Sequence, residues 1–362
     1  MENKCWSDED PAKVRDSIVF QTFRAGNFLF REKNVLWLRG QGLSKLRPTR
    51  LLSLRVSPLC FRLETLGPFR VPEYKGALFR GGFGQYFRDL VCVTRAPVCD
   101  GCPHLATCPY STVFETPVIP DQFTVLKKYP NAPHPFVLVP PLDSRTDLPA
   151  RTSLDLGITL MGRGIDYLPH FIRVFDGMGG DGRYGGRFRI RSVVSAVGPN
   201  QVVYDGMTRR FLAAPPLWQP EEMPAAVRRL SVEFLTPLRI RTEGRYNLRP
   251  DFVAIAQSLL RRIHLLSEIH GDGPAGGDHT WMHELFRKAD GAKTQRADFR
   301  VYAWDRMSGR QGRRVQMDGV IGRLEAEGDL TELAPYFQAG EWLSVGSGTS
   351  MGMGKYRMEV ED

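Results

Sequence analysis

Residues 213–224 hold four prolines and no hydrophobic periodicity, and on either side of them the chain opens in the same way. Ahead of this segment Phe61, Leu63 and Thr65 alternate with Arg62 and Glu64, and Gly67 and Pro68 end the run. Behind it Leu230, Val232 and Phe234 alternate with Ser231 and Glu233, ending near Pro237. Period-two alternation predicts a strand buried on one face. Each strand is followed by helical spacing. In the first case Leu78, Phe83 and Phe87 carry it, among glycines that normally weaken a helix and therefore suggest close backbone approach. In the second, Phe252, Ile255, Leu259, Ile263 and Leu266 carry it, with Pro250 just before the start. Further strands are predicted at 136–140, 152–161 and 187–197, and a helix near 167–178. The fold class that follows is α+β in two similar units, 58–212 and 227–362, joined by a linker over 213–226. Residues 1–57 show no sustained period and read as an extension outside the fold.

The 362 residues are 42% hydrophobic, enough for two cores. No run approaches the roughly 18 uncharged apolar residues of a membrane span, so the expectation is a cytoplasmic protein without a membrane partner. The net charge of +9 is a weak guide, because residues 1–55 alone contribute +5 of it. Local arginine clusters are better guides: Arg183, Arg187, Arg189 and Arg191; Arg239, Arg241, Arg245 and Arg249; Arg306, Arg310, Arg313 and Arg314. Guanidinium forks pair with phosphate bidentately and stack on bases, so clusters this poor in lysine favour nucleic acid over a generic solvated face.

Four of the six cysteines, Cys92, Cys99, Cys102 and Cys108, fall within 17 positions. In a reducing compartment such crowding points to metal ligation rather than disulfides. Zinc accepts four thiolates. The spacing and the neighbouring Pro109 and Tyr110 resemble the [4Fe-4S] loop of endonuclease III-type DNA glycosylases, which favours an iron-sulfur cluster, with structural zinc as the alternative. A glycosylase itself would need a helix-hairpin-helix ahead of the cysteines, and none of the 91 preceding residues resembles one.

Near the C-terminus, 346–356 reads Gly-Ser-Gly-Thr-Ser-Met-Gly-Met-Gly-Lys-Tyr. Gly346, Gly348, Gly352 and Gly354 would let backbone N–H groups converge on an anion, with Lys355 adding charge. The Gly-Lys-Ser/Thr ending of a Walker A loop is missing. This loop, with the stretches 72–84, 235–240, 261–266 leading to His270, and 304–311, resembles the RAMP-superfamily endoribonucleases that process CRISPR precursor RNA, over roughly residues 58–362. The resemblance implies two tandem ferredoxin-like (RAMP/RRM-like) domains, the first carrying the cysteine loop. It also implies cleavage of repeat RNA without metal, by attack of a ribose 2'-OH on the adjacent phosphate.

For that chemistry His270, Tyr74 and Lys75 are the catalytic candidates. Arg239, Arg241, Arg306, Arg310, Gln311, Lys355 and the four loop glycines are the RNA-binding ones. CRISPR repeat RNA, crRNA and other CRISPR effector subunits are the expected partners. The chain departs from the family's pattern at Ser344 and Ser347, where histidine and lysine are common, and serine cannot replace imidazole as an acid or base near neutral pH. A catalytically inactive subunit that only binds repeat RNA is therefore the competing expectation.

Overall fold

The computed structural model describes residues 53–117, 132–272, 280–308 and 313–361. The extension read over 1–57 lies outside these residues up to position 52. Leu54, Val56 and Ser57, however, are buried, and the first strand starts at Val56.

In chain order the first half contains β1 (Val56–Thr65), β2 (Phe69–Arg70), α1 (Gly76–Val91), β3 (Phe136–Val139), β4 (Asp147–Leu148), β5 (Ser153–Met161), α2 (Leu168–Asp181), β6 (Phe188–Ser195), β7 (Val202–Asp205) and β8 (Arg210–Phe211). The strands β3-β5-β1-β6-β7-β8 form one antiparallel sheet in that order. With β1, β3, β5 and β6 as the main strands and α1 and α2 as crossovers, this is the β-α-β-β-α-β order of a ferredoxin-like unit. Phe79, Phe83 and Phe87 recur every four residues, so they share one face of α1, and all are fully buried. The Phe83 ring stacks on Phe171 of α2 at 4.6 Å between centroids. Gly82 and Gly84 make this possible: a Cβ at either would run into Met178 or the Phe114 ring.

The second half repeats the order with β9 (Arg229–Leu238), β10 (Ile240–Thr242), β11 (Arg245–Asn247), α3 (Phe252–His270), α4 (Thr280–Asp290), β12 (Lys293–Tyr302), β13 (Asp305–Ser308), β14 (Arg313–Gln316), β15 (Gly319–Glu327), α5 (Ala334–Leu343) and β16 (Tyr356–Glu361). Its four-stranded sheet runs β12-β15-β9-β16, all antiparallel. Asp251 caps α3 by accepting the Ala254 N–H at 2.8 Å, which satisfies one of the free amides at the helix start. The hairpins β10-β11 and β13-β14 stand outside the main sheet.

The two halves are welded rather than tethered. Leu54, Val56, Val137, Val139 and Met161 of the first half belong to the same buried cluster as Leu230, Phe252, Leu260 and Phe337 of the second. The proline-rich segment lacks helix or strand but is docked. The Trp218 N–H donates to Val56 O at 2.8 Å, and the Ser57 hydroxyl donates to Pro216 O at 2.9 Å.

Candidate nucleic-acid interface

The glycine loop between α5 and β16 is a folded plug. Gly346, Gly348, Gly352 and Gly354 all have φ between 72° and 88°, the left-handed region that favours glycine. A Cβ on Gly352 would strike Pro140 and Leu138 O of the first half, and one on Gly346 would strike Arg239 O. The amides of Gly352 and Gly354 donate to Thr349 O at 2.9 Å and Pro237 O at 3.0 Å. Those two N–H groups are spent inside the protein, so the expectation that they cradle a phosphate is corrected: these glycines set the loop's path. Lys355 is likewise turned inward. It is buried, its Nζ donates to Glu341 O and lies 4.7 Å from the Trp342 ring centroid, and burial brings its pKa down to about 8 despite the Glu341 charge.

What the loop presents is Met351 and Met353, which pack with Met317, Tyr74, Trp304 and Val315 where the halves meet. The Tyr74 and Trp304 ring centroids are 4.6 Å apart. Arg239 joins this patch through an Nη1 contact of 3.2 Å to the Met317 sulfur, and Ser347 N–H holds the Arg239 carbonyl at 2.8 Å. The guanidinium of Arg239 sits 3.7 Å over the Tyr246 ring, and that of Arg241 sits 4.6 Å from the same centroid and donates to the Tyr246 hydroxyl at 2.9 Å. Two cations on one ring repel each other, and an anion between them relieves the repulsion. Among the described residues Arg239 Nε, Trp304 Nε1, Arg306 Nε and Asp318 Oδ1 are buried atoms without a hydrogen-bond partner.

The other arginine cluster is internally neutralised. Arg189 and Arg191 both pair with Glu64, at 3.1 and 3.0 Å, and Arg183 pairs with Asp181 at 2.6 Å. Among the described residues no carboxylate pairs with Arg239, Arg241 or Arg306. This separates arginines free to meet phosphate from those already engaged.

Residues 232–356 match the family model described as CRISPR-associated endoribonuclease Cas6, and 54–216 match a model described as an N-terminal domain. An uncharacterized protein of Archaeoglobus fulgidus is 28% identical over 311 residues, covering 84% of this chain and 98% of its own length. Among solved structures, a Cas6 product complex is similar at 20% identity and a TM-score of 0.49, covering 83% of this chain and 100% of that one. Thermus thermophilus Cas6 is similar at 18% identity and a TM-score of 0.47, covering 84% and 99%. No helix among the described residues is long and apolar enough to cross a membrane.

Of the catalytic candidates, only Tyr74 packs against the glycine loop. Its hydroxyl donates to Met351 O at 2.9 Å, and burial, with the nearby Tyr302, raises its pKa far above the usual phenol value. Lys75 is fully buried; its Nζ donates to Asp143 O at 2.5 Å and lies 3.5 Å from the Asp143 carboxylate. Burial lowers its pKa while Asp143 opposes the shift. His270 is also buried, its Nε2 2.7 Å from Pro133 O, and burial lowers its pKa to about 4. Neither Lys75 nor His270 is presented to the arginine face, because each is saturated by a carbonyl from the first half. Arg310 and Gln311 lie outside the described residues. Sequence reasoning missed Tyr246 and the three methionines; Tyr246 sat in plain view between Arg241 and Arg249.

Cys92, Cys99, Cys102 and Cys108 are unoxidised and line one cavity with Arg88, Thr94, Val98, Leu105 and Tyr110. Thr94 Oγ1 lies 3.8 Å from Cys92 Sγ and 3.9 Å from Cys102 Sγ. Among the described residues no three His, Cys, Asp or Glu side chains close into a group that could hold a metal ion.

Proposed function

We propose that this protein binds CRISPR repeat RNA across the Tyr74, Trp304, Arg239 and Tyr246 face and cleaves it without metal, a ribose 2'-OH attacking the adjacent phosphate to leave a 2',3'-cyclic phosphate and a 5'-OH. The observation that carries this reading is a pair of arginines on one tyrosine, unpaired by carboxylates among the described residues, within the stretch that matches the Cas6 family model. Arg239, Arg241 and Arg306 neutralise the phosphodiester, and Tyr246 and Trp304 offer ring faces to unstacked bases. Guanidinium stays charged near neutral pH, so the arginines stabilise the crowded phosphorane and do not carry its protons. Tyr74 keeps its proton, which the free protein gives to Met351 O, and donates to a phosphate oxygen once RNA displaces that contact. Incubating the protein with repeat RNA in EDTA tests the reading. The expected products carry a cyclic phosphate and vanish with a 2'-deoxy nucleotide at the cut site; strict dependence on magnesium refutes the mechanism.

A second reading, repeat-RNA binding without cleavage as a subunit of a larger CRISPR assembly, is favoured by Ser344 and Ser347 in the loop and by the saturated His270 and Lys75. Tight binding with intact RNA after long incubation selects it.

A further inference from the structure

The cysteine cavity has no part in the RNA chemistry, yet it is built like a cofactor site. We infer that Cys92, Cys99, Cys102 and Cys108 hold an iron-sulfur cluster of the [4Fe-4S] type, not a single zinc ion.

The donor set is four thiols lining one cavity. A tetrahedral zinc site with Zn–S bonds of about 2.3 Å pulls its four sulfurs to roughly 3.8 Å of one another. Here no three such side chains close to ion-holding distance, although all four face the same space. A cubane suits that spread, because each thiolate binds a different corner. Thr94 Oγ1 stands against two of the sulfurs and can hydrogen-bond them, as sulfurs around such clusters commonly require. Arg88 supplies a positive charge beside a cluster that is net negative with four thiolates; its Nη2 is fixed on Ala96 O. Leu105, Val98 and Tyr110 line the remaining wall and limit water.

The local chain is shaped for this. Helix α1 ends at Val91, so Cys92 is its cap residue, in extended backbone with its N–H on Arg88 O. Cys102 N–H donates to Cys99 O at 3.1 Å, closing a tight turn between these two cysteines, and Cys108 N–H donates to His104 O at 2.8 Å. Ligation replaces four S–H bonds by four Fe–S bonds to a preassembled cluster, releasing four protons to solvent. The cluster would thereby pin the C-terminal end of α1, whose first residue, Gly76, abuts Met351 of the glycine loop.

The test uses the full chain purified anaerobically. Iron, acid-labile sulfide and zinc are quantified, and the visible absorption and the EPR spectrum after reduction are recorded. The expected result is about four iron and four sulfide per chain, as a [4Fe-4S] cluster requires. One zinc per chain without sulfide overturns the assignment, and so does the absence of both metals. Cys99→Ser should cut iron at least several-fold while far-UV circular dichroism is retained; iron unchanged in a Cys99→Ser, Cys102→Ser double variant also overturns it. The wild-type stoichiometry decides even where a variant does not fold.

Discussion

The Tyr74 hydroxyl donates to the Met351 carbonyl oxygen at 2.9 Å, joining residues 277 positions apart and fixing the start of α1 to the glycine loop of the other half. Removing the donor leaves a carbonyl without that partner, at a cost of about 1 kcal/mol for a neutral hydrogen bond. Tyr74→Phe is therefore expected to lower the unfolding free energy extrapolated from urea titration by about 1 kcal/mol. In single-turnover assays it should slow cleavage more than tenfold if the phenol donates to the phosphate in the transition state. A slowing no greater than the stability loss explains would limit Tyr74 to joining the halves.

Tyr246→Ala removes the ring on which Arg239 and Arg241 rest and a platform for a base. RNA affinity should fall by about 1–3 kcal/mol, the usual value for a stacking aromatic. Arg241→Gln should weaken binding and flatten the dependence of log K on log salt by nearly one charge. Arg189→Gln, at an arginine already paired with Glu64, should leave that slope unchanged. Equal slopes for the two arginine variants would refute the division drawn between the clusters.

Acid should destabilise the fold through two buried histidines. Thr116 gives its hydroxyl proton to Ala132 O, so His134 Nδ1 donates to Thr116, and burial, aided by Arg80, Arg262 and His270, takes the His134 pKa down to about 3. His270 falls to about 4. In the unfolded chain both titrate near 6.5, the ordinary imidazole value, so between these limits the unfolded state binds more protons. The stabilisation is complete above pH ~6.5, declines as pH drops, and is exhausted near the folded values. Urea midpoints measured from pH 7 to 4 should follow that decline, and His270→Gln should make it shallower.

Ser344 ends α5 with φ 57° and ψ 169°, a conformation essentially reserved for glycine, and its buried hydroxyl has no partner among the described residues. Ser344→Gly removes both penalties, offset in part by the larger entropy of the unfolded glycine chain. A net gain of about 1 kcal/mol in chemical denaturation is expected; a loss would mean the serine contributes something beyond its backbone.

The order of elements was legible because the strands that open each half bury one face and expose the other, and because α1 and α3 carry apolar residues every three or four positions. Strands β12 and β15 were not. Most β12 side chains are exposed at the sheet edge, so the strand lacks an alternating pattern. The glycine loop was found from composition, but the direction of its amides was not, since that depends on Pro237 and Thr349 being close in space. For the same reason His270 looked available: its partner Pro133 is 137 residues away. Arginine content located three clusters, while the carboxylates that silence one of them, Glu64 and Asp181, lie on β1 and at the end of α2.

Gly76, Gly162 and Gly352 lie where one half meets the other, and a methyl group on any of them would collide with Met351 O, His270 O or Pro140. The seam therefore leaves no room for a side chain at these points, which makes the two halves a matched pair. A chimera that borrows one half from a distant homologue should assemble only when the glycines and their opposing carbonyls are inherited as a set.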